Sequence, residues 1–369
     1  MVCDVNRCFP PLVSVIIPLY MSSGSLRHTL QGLISLNYPK KCLEVIFSYS
    51  PSSDETKSIV DEFIKRHQDE YASIQLIVCP KRGSSFGRNV GILNSKGKYI
   101  LFLDDDVIPH PDILISGLSL LEKDTNLAVI GYPYLSPTHS LFEEAVYLGV
   151  LGGLKRTRTF PMGCSIIRGE VFNKVGLFNE RLGYPYGPHE DLELAARIDK
   201  AGYKILVDGT KIALHIRHLK EKDREHKTSS SFKNYYRPTY LIGTVRFYLT
   251  KWAETYHFVL KNAPFYWKIE LMMYFLMPLV ALTLLSLNLV YSLLYITSLI
   301  VGGCIYYRAF SMKRFLALLI KISSRTIRSY GYVSYLLRIF IRKASDAICG
   351  LLHATIIHSF QDSTTSEST

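Results

Sequence analysis

The chain has 369 residues, 48% of them apolar and 20% charged. That suits about two soluble domains, or one domain with a membrane part, and excludes a disordered tail protein. Lysine and arginine exceed aspartate and glutamate to leave a net charge of +12, which points to anionic partners. Seven scattered cysteines form no C-x-x-C pair, so neither a disulfide framework nor a thiolate metal site is expected.

From the N-terminus to about residue 230, short apolar runs (VSVIIPLY, LEVIFSYS, IQLIVCP, KYILFLDDD) alternate with segments of helical period. Leu26, Leu30, Leu33 and Ile34 make one such face; Ile59, Val60, Phe63 and Ile64 make another. The alternation predicts an α/β fold with a mostly parallel sheet covered by helices on both faces. The opening run contains Pro18, is short, and is not preceded by a basic segment, so it reads as a buried strand and this part is expected to stay in the cytosol. In such sheets ligands bind beyond the carboxyl ends of the strands, and the residues following each run are the ones to inspect.

The stretch KRGSSFGRNVGILNSKGKY sets Arg82, Arg88 and Asn89 among Gly83, Gly87 and Gly91. Glycines permit close backbone approach and the cations can face phosphates, although the pattern is neither G-x-G-x-x-G nor a P-loop. Next, KYILFL ends in Asp104, Asp105 and Asp106. Three carboxylates at a strand end repel one another, and a hard divalent cation relieves that repulsion; a solvated acidic turn closed by Pro109 and Pro111 is the plainer reading. His189, Glu190 and Asp191 open the predicted helix DLELAARIDKAGY, which stops at Gly202. Carboxylates there suit a general base and equally suit helix capping. His215, at the end of another apolar run, can ligate a metal, orient a phosphate or simply end a strand.

Taken in order, these pieces resemble the family 2 glycosyltransferases, whose nucleotide-sugar-binding fold is called GT-A. The resemblance covers about residues 13–218: VSVIIPLY as the first strand, GRNVGI before the DXD strand, LFLDDD as the DXD motif, GCSIIRGEVFNKVGLFNE, and HEDLELAARIDKAGYKI as the acidic-pair segment. It implies an inverting transfer from a nucleotide sugar with Mg²⁺ or Mn²⁺. It also implies that Pro18, Tyr20, Ser50, Arg88, Asn89, Asp104 and Asp105 serve the donor, with Asp104 on the nucleoside. Asp106 falls to the metal, His215 to the metal or the diphosphate, and Asp191 is the base with Glu190 and His189 beside it. One departure stands out. After the second strand, where the family has two aspartates, a glycine and a serine, this chain reads SYSPSSDET, with Tyr49, Ser50 and Pro51 in place of the Asp-Asp-Gly. The carboxylate that reads a pyrimidine base is absent. The acceptor surface is expected in the stretch 132–160, which carries no readable code.

Beyond residue 230 the texture changes. Residues 231–268 mix aromatic and cationic side chains in the style of a membrane interface. Residues 271–307 contain no charged side chain. As one helix they would be about 55 Å long against a bilayer core of roughly 30 Å, so 269–307 is expected to be a transmembrane hairpin turning near Ser286 to Asn288. Lys251, Lys261 and Lys268 precede it and nine cations from Arg308 to Lys343 follow, with no acidic residue between Leu271 and Ser345. Both flanks then face the cytosol, which makes a multi-pass protein of the cell membrane. The basic stretch 308–360 is expected to lie on anionic lipids as amphipathic helices, or to add a third span over 347–360, and 361–369 to be a disordered tail. Because the positive excess flanks the apolar run, lipid rather than nucleic acid is the expected anionic partner, with a nucleotide-sugar donor and a lipid-linked or glycan acceptor. A processive polysaccharide synthase is the nearest rival, although YLTKW is a poor match to its Q-x-x-R-W motif. A nucleotidyltransferase would show a glycine- and lysine-rich first loop where this chain has LYMSSGSL. A catalytically inactive membrane glycan-binding or scaffold protein is the rival from another class.

Overall fold

Val13–Leu19 (β1) is buried almost throughout, and Ser23–Ile34 (α1) then lays Leu26, Leu30 and Leu33 against the sheet. Leu43–Tyr49 (β2), Thr56–His67 (α2), Ser73–Val78 (β3), Ser84–Asn94 (α3) and Tyr99–Leu103 (β4) continue the alternation. Val107–Ile108 (β5), Ile113–Lys123 (α4), Leu127–Gly131 (β6), Tyr134–Leu135 (β7) and Leu154–Thr157 (β8) follow. Cys164–Arg168 (β9), Val171–Val175 (α5), Glu190–Lys200 (α6), Lys204–Asp208 (β10) and Ala213–His215 (β11) complete the domain. The computed structural model describes residues 10–137, 143, 146–183, 189–216, 261–269 and 295–301, with Met272, Met273, Leu276 and Val280.

Eight strands form one sheet in the order β3-β2-β1-β4-β9-β6-β10-β8. β3, β2, β1 and β4 are parallel, as are β6 and β10. β9 runs antiparallel between β4 and β6, and β8 is an antiparallel edge. β1, β2 and β4 are largely apolar and buried because both faces are covered, whereas the edge strand β3 is only half-buried. On one face α1, α2 and α4 close a core around Val15, Ile17, Phe47 and Leu101. On the other, α5 and α6 pack Phe172, Leu194 and Ile198 against Ile16, Phe102 and Ile167. A small second sheet, β5-β11-β7, which the apolar runs did not announce, sits at the carboxyl end of β4.

The glycines of α3 serve packing. A Cβ on Gly91 would lie 2.4 Å from Cγ2 of Ile16, and one on Gly87 would lie 3.3 Å from Cβ of Pro18, so both let the helix settle on β1. The close backbone approach expected of glycines here is thus an approach to β1. Among the described residues no helix is long and apolar enough to cross a membrane. The predicted basic helices over 308–360, the tail, most of the 269–307 hairpin, residues 217–260 and the loop 184–188 lie outside the described residues.

Candidate active site

The strand-end triplet does not act as one cluster. The Asp104 carboxylate accepts a hydrogen bond from Nη2 of Arg88 at 2.9 Å, and its backbone N–H donates to the Gly163 carbonyl at 2.9 Å. Asp105 is buried, its carboxylate accepts from the Ser22 hydroxyl and its carbonyl accepts from the Thr29 hydroxyl at 3.0 Å. It therefore ties α1 to the end of β4. Asp106 faces across to His215, Oδ2 to Nε2 3.8 Å, because β5 and β11 pair with His215 opposite Val107. Backbone geometry thus deals each of the three acids a different neighbour.

The second acidic group opens α6. His189 holds a left-handed conformation at φ 71°, uncommon for a residue with a Cβ, and Met21 does the same at φ 50° in the loop after β1. Both strained residues flank the site. Glu190 accepts from Nη1 of Arg88 at 2.7 Å. The Arg88 side chain, only 4% exposed, therefore bridges the first acid of each cluster, Asp104 and Glu190. Burial opposes its charge, but the two carboxylates outweigh that and hold it firmly protonated. Asp191 accepts a bond from the Leu192 N–H at 2.8 Å. Desolvation, then repulsion from Glu190, pushes its carboxyl up to about 7. A carboxyl titrating there is poised to exchange protons near neutral pH.

The remaining sequence-predicted residues divide by what they touch. Tyr20 lies under the Arg82 guanidinium, 3.7 Å from ring centre to Cζ, a stacked pair at the carboxyl end of β1. Pro18 packs against Gly87. Ser50 is buried, with its N–H bonded to the Leu19 carbonyl at 2.9 Å. Asn89 is engaged structurally: its amide donates to the Phe178 carbonyl at 3.0 Å and to Glu180 at 3.1 Å, and accepts from the Phe178 N–H at 2.9 Å. Asp54, past the missing Asp pair, accepts from the Ser23 N–H and from the Ser52 and Thr56 hydroxyls. Burial opposes its ionisation, but these bonds together hold its carboxyl down at about 2.

Two residues that the sequence reading passed over complete the site. The Tyr134 ring meets His215 edge-on at 5.1 Å. Desolvation chiefly, then Tyr147 and the charges of Asp104, Asp191 and Asp106, drives its phenol well above its ordinary value, so it stays a donor. A Cβ on Gly163 would stand 2.8 Å from Oδ2 of Asp104 and 3.0 Å from Cε1 of Tyr134; only glycine lets both approach. Gly163 lay within the GCSIIRGE segment and Tyr134 within the expected acceptor stretch 132–160, but neither was singled out there.

Among the described residues no group of three or more His, Cys, Asp or Glu side chains is arranged to hold a metal by itself. Asp106 and His215 form an oxygen and nitrogen pair, which fits a Mg²⁺ or Mn²⁺ ion that takes a few ligands from protein and the rest from phosphate and water.

Residues 14–170 match the family described as Glycosyl transferase family 2. The chain is 26% identical over 212 residues to the glycosyltransferase AglE of Haloferax volcanii, covering 56% of this chain and 67% of that one. It is 28% identical over 171 residues to a poly-beta-1,6-N-acetyl-D-glucosamine synthase of Staphylococcus epidermidis, covering 45% of this chain and 40% of the synthase. The mannosyltransferase PcManGT of Pyrobaculum calidifontis, solved with GDP-Man and Mn²⁺, superimposes with a TM-score of 0.51 at 17% identity, over 88% of this chain and 86% of that one. The match spans about two-thirds or less of the curated relatives' own length. Residues 14–170 are accordingly a family 2 glycosyltransferase domain, and the α/β architecture that contains them is GT-A-like.

Proposed function

We propose that the protein is a membrane-attached inverting glycosyltransferase that moves a sugar from a nucleotide-sugar donor to a lipid-linked or glycan acceptor. The observation that carries this reading is the division of charge in the site. Of the strand-end acids, Asp104 has a guanidinium and Asp106 an imidazole beside it, while Asp191, across Arg88, has a carboxyl pushed up to about 7. That is the arrangement a single displacement requires, with the departing diphosphate held on one side and a base on the other.

In this mechanism Asp104, Tyr20 and Arg82 line the donor end, and Asp106 with His215 would hold the Mg²⁺ or Mn²⁺. When bound, the ion supplies Lewis-acid stabilisation of the leaving diphosphate. Asp191 accepts the proton of the acceptor hydroxyl as that oxygen attacks the anomeric carbon, and the configuration inverts. Tyr134, kept protonated, donates a hydrogen bond to the donor or acceptor. GDP-Man and Mn²⁺ in the mannosyltransferase neighbour support a nucleotide sugar and a divalent ion here.

Membrane attachment through 269–307, with the catalytic domain on the cytoplasmic side of the cell membrane, follows from the uncharged stretch and its cationic flanks. Identity to a polysaccharide synthase keeps a processive product as the second reading. Titrating a panel of nucleotide sugars calorimetrically, with and without Mn²⁺, and reading the product's anomeric configuration and chain length, tests these statements. Metal-dependent binding of one donor and a single inverted transfer are expected. Failure of every donor to bind would favour the scaffold, and retained configuration would refute the mechanism.

A further inference from the structure

The helix that carries the acidic pair is also the helix that grips the approach to the apolar stretch. Within 261–269, Ala263 and Trp267 are buried in the same core as Leu194 and Ile198 of α6. The Trp267 indole N–H donates to Oδ2 of Asp199 at 2.8 Å, the Tyr266 hydroxyl donates to the same oxygen, and the Asn262 amide donates to Glu193 at 3.1 Å. Glu193 is itself buried and clamped by Arg197 at 2.7 and 2.9 Å. The segment therefore lies along α6, from Glu193 in its first turn to Asp199 in its last.

Its other side is uncovered. Phe265 is 74% exposed, and Ile269, Met272, Met273, Leu276 and Val280 follow at spacings of three and four, all exposed. Soluble domains rarely leave such a row open to water. Cations lie beside the segment. Arg158 stacks on the Tyr266 ring at 4.7 Å, which brings the end of β8 beside the segment. Lys155 pairs with Val207 of β10, whose side chain belongs to the α6-side core, so Lys155 points to that same face. Lys261 and Lys268 lie within the segment itself, and both lysines and most of the β8 edge strand are exposed.

We infer that the flank built from 261–269 and the edge of β8 seats on an anionic lipid surface, with Trp267 and Asn262 latching it to α6. An apolar row with Arg158, Lys261 and Lys268 beside it, leading into the 37-residue stretch free of charge, matches a bilayer carrying acidic headgroups. This inference rests on the membrane attachment proposed above and adds which face of the domain meets the lipid. It also makes α6 the element common to the lipid contact and the base.

The test uses the full chain in nanodiscs of phosphatidylcholine, with or without about one-third phosphatidylglycerol, and reads amide hydrogen exchange, so no donor or turnover is needed. Peptides covering 154–158 and 261–269 should exchange at least about tenfold more slowly in the anionic discs, and 0.5 M salt should erase the difference. Lys155→Glu with Arg158→Glu should remove the anionic protection while leaving the exchange of β1 and β4 unchanged. Trp267→Phe should speed exchange over 261–269 and the last turn of α6 together. Equal exchange in both kinds of disc, or protection that follows self-association measured by mass photometry, would overturn the inference and assign the flank to a second copy. Because the readout is structural, a chain that binds lipid this way yet transfers no sugar would leave this inference standing and sink only the catalytic reading.

Discussion

Two acidic clusters face one another across Arg88, and they are built in opposite ways. At the end of β4 each carboxylate has its own neighbour: Arg88 for Asp104, Ser22 for Asp105 and His215 for Asp106. At the start of α6, Glu190 takes the other arm of Arg88, and Asp191 next to it is left with desolvation and a like charge. The macrodipole favours negative charge at a helix N-terminus, yet in Asp191 desolvation wins, because it scales with the loss of water rather than with the half-charge of a helix end. Residues of one type thus end with separate partners in one place and, at Asp191, as an exchangeable proton site in the other. The shared arginine keeps the two clusters in register.

The largest test of this contrast removes an anion from the strand end. Asp106→Ala is expected to abolish metal-dependent donor binding while the fold persists, since without a cation Asp106 adds repulsion to its neighbours. Calorimetry that found wild-type metal and donor binding in this variant would take the DXD role away from Asp106.

Asp191→Asn attacks the opposite side. Donor and metal affinity should hold, and transfer should fall by at least about a hundredfold, the usual worth of a general base. Single-turnover measurement with saturating donor separates the two effects. Transfer at the wild-type rate would mean that the proton goes elsewhere.

The pH profile sharpens the contrast without breaking it. A base must be ionised to work, so with its carboxyl raised to about 7 the rate should fall about tenfold per unit as pH drops below that value. In Glu190→Gln the like charge beside Asp191 is gone, so the acid limb should move to lower pH. Its effect on transfer at pH 8 should be the smaller of the two acids', about tenfold or less. An unmoved limb would separate Glu190 electrostatically from Asp191.

The smallest effect is on stability, and its sign is opposite to that of activity. Asp191 binds its proton more tightly folded than unfolded, so between its ordinary value of 3.8 and about 7 stability declines as pH rises, and the cost is fully present above that. Asp191→Asn should therefore melt a few degrees higher than wild type at pH 8 and at the same temperature at pH 3. A variant that melts lower at pH 8 would show that the ionised carboxylate stabilises the helix start after all.

The sequence by itself determined the alternation of buried strands and helices from Val13 to His215, the strand-end position of Asp104 to Asp106 and the helix start at Glu190. All of these follow from local periodicity and short-range capping rules, which operate over a few residues. It also located the uncharged stretch and its cationic flanks, since composition needs no fold. Only the tertiary structure decided which neighbour each acid has. That Arg88 spans Asp104 and Glu190, that Asn89 bonds to the loop at Phe178, and that the α3 glycines pack on β1 all depend on contacts between residues far apart in the chain. Tyr134 and Gly163 were illegible for the same reason. Their place in the site comes from β9 running antiparallel between β4 and β6, and strand order is set by the packing of the whole sheet, which no local pattern encodes.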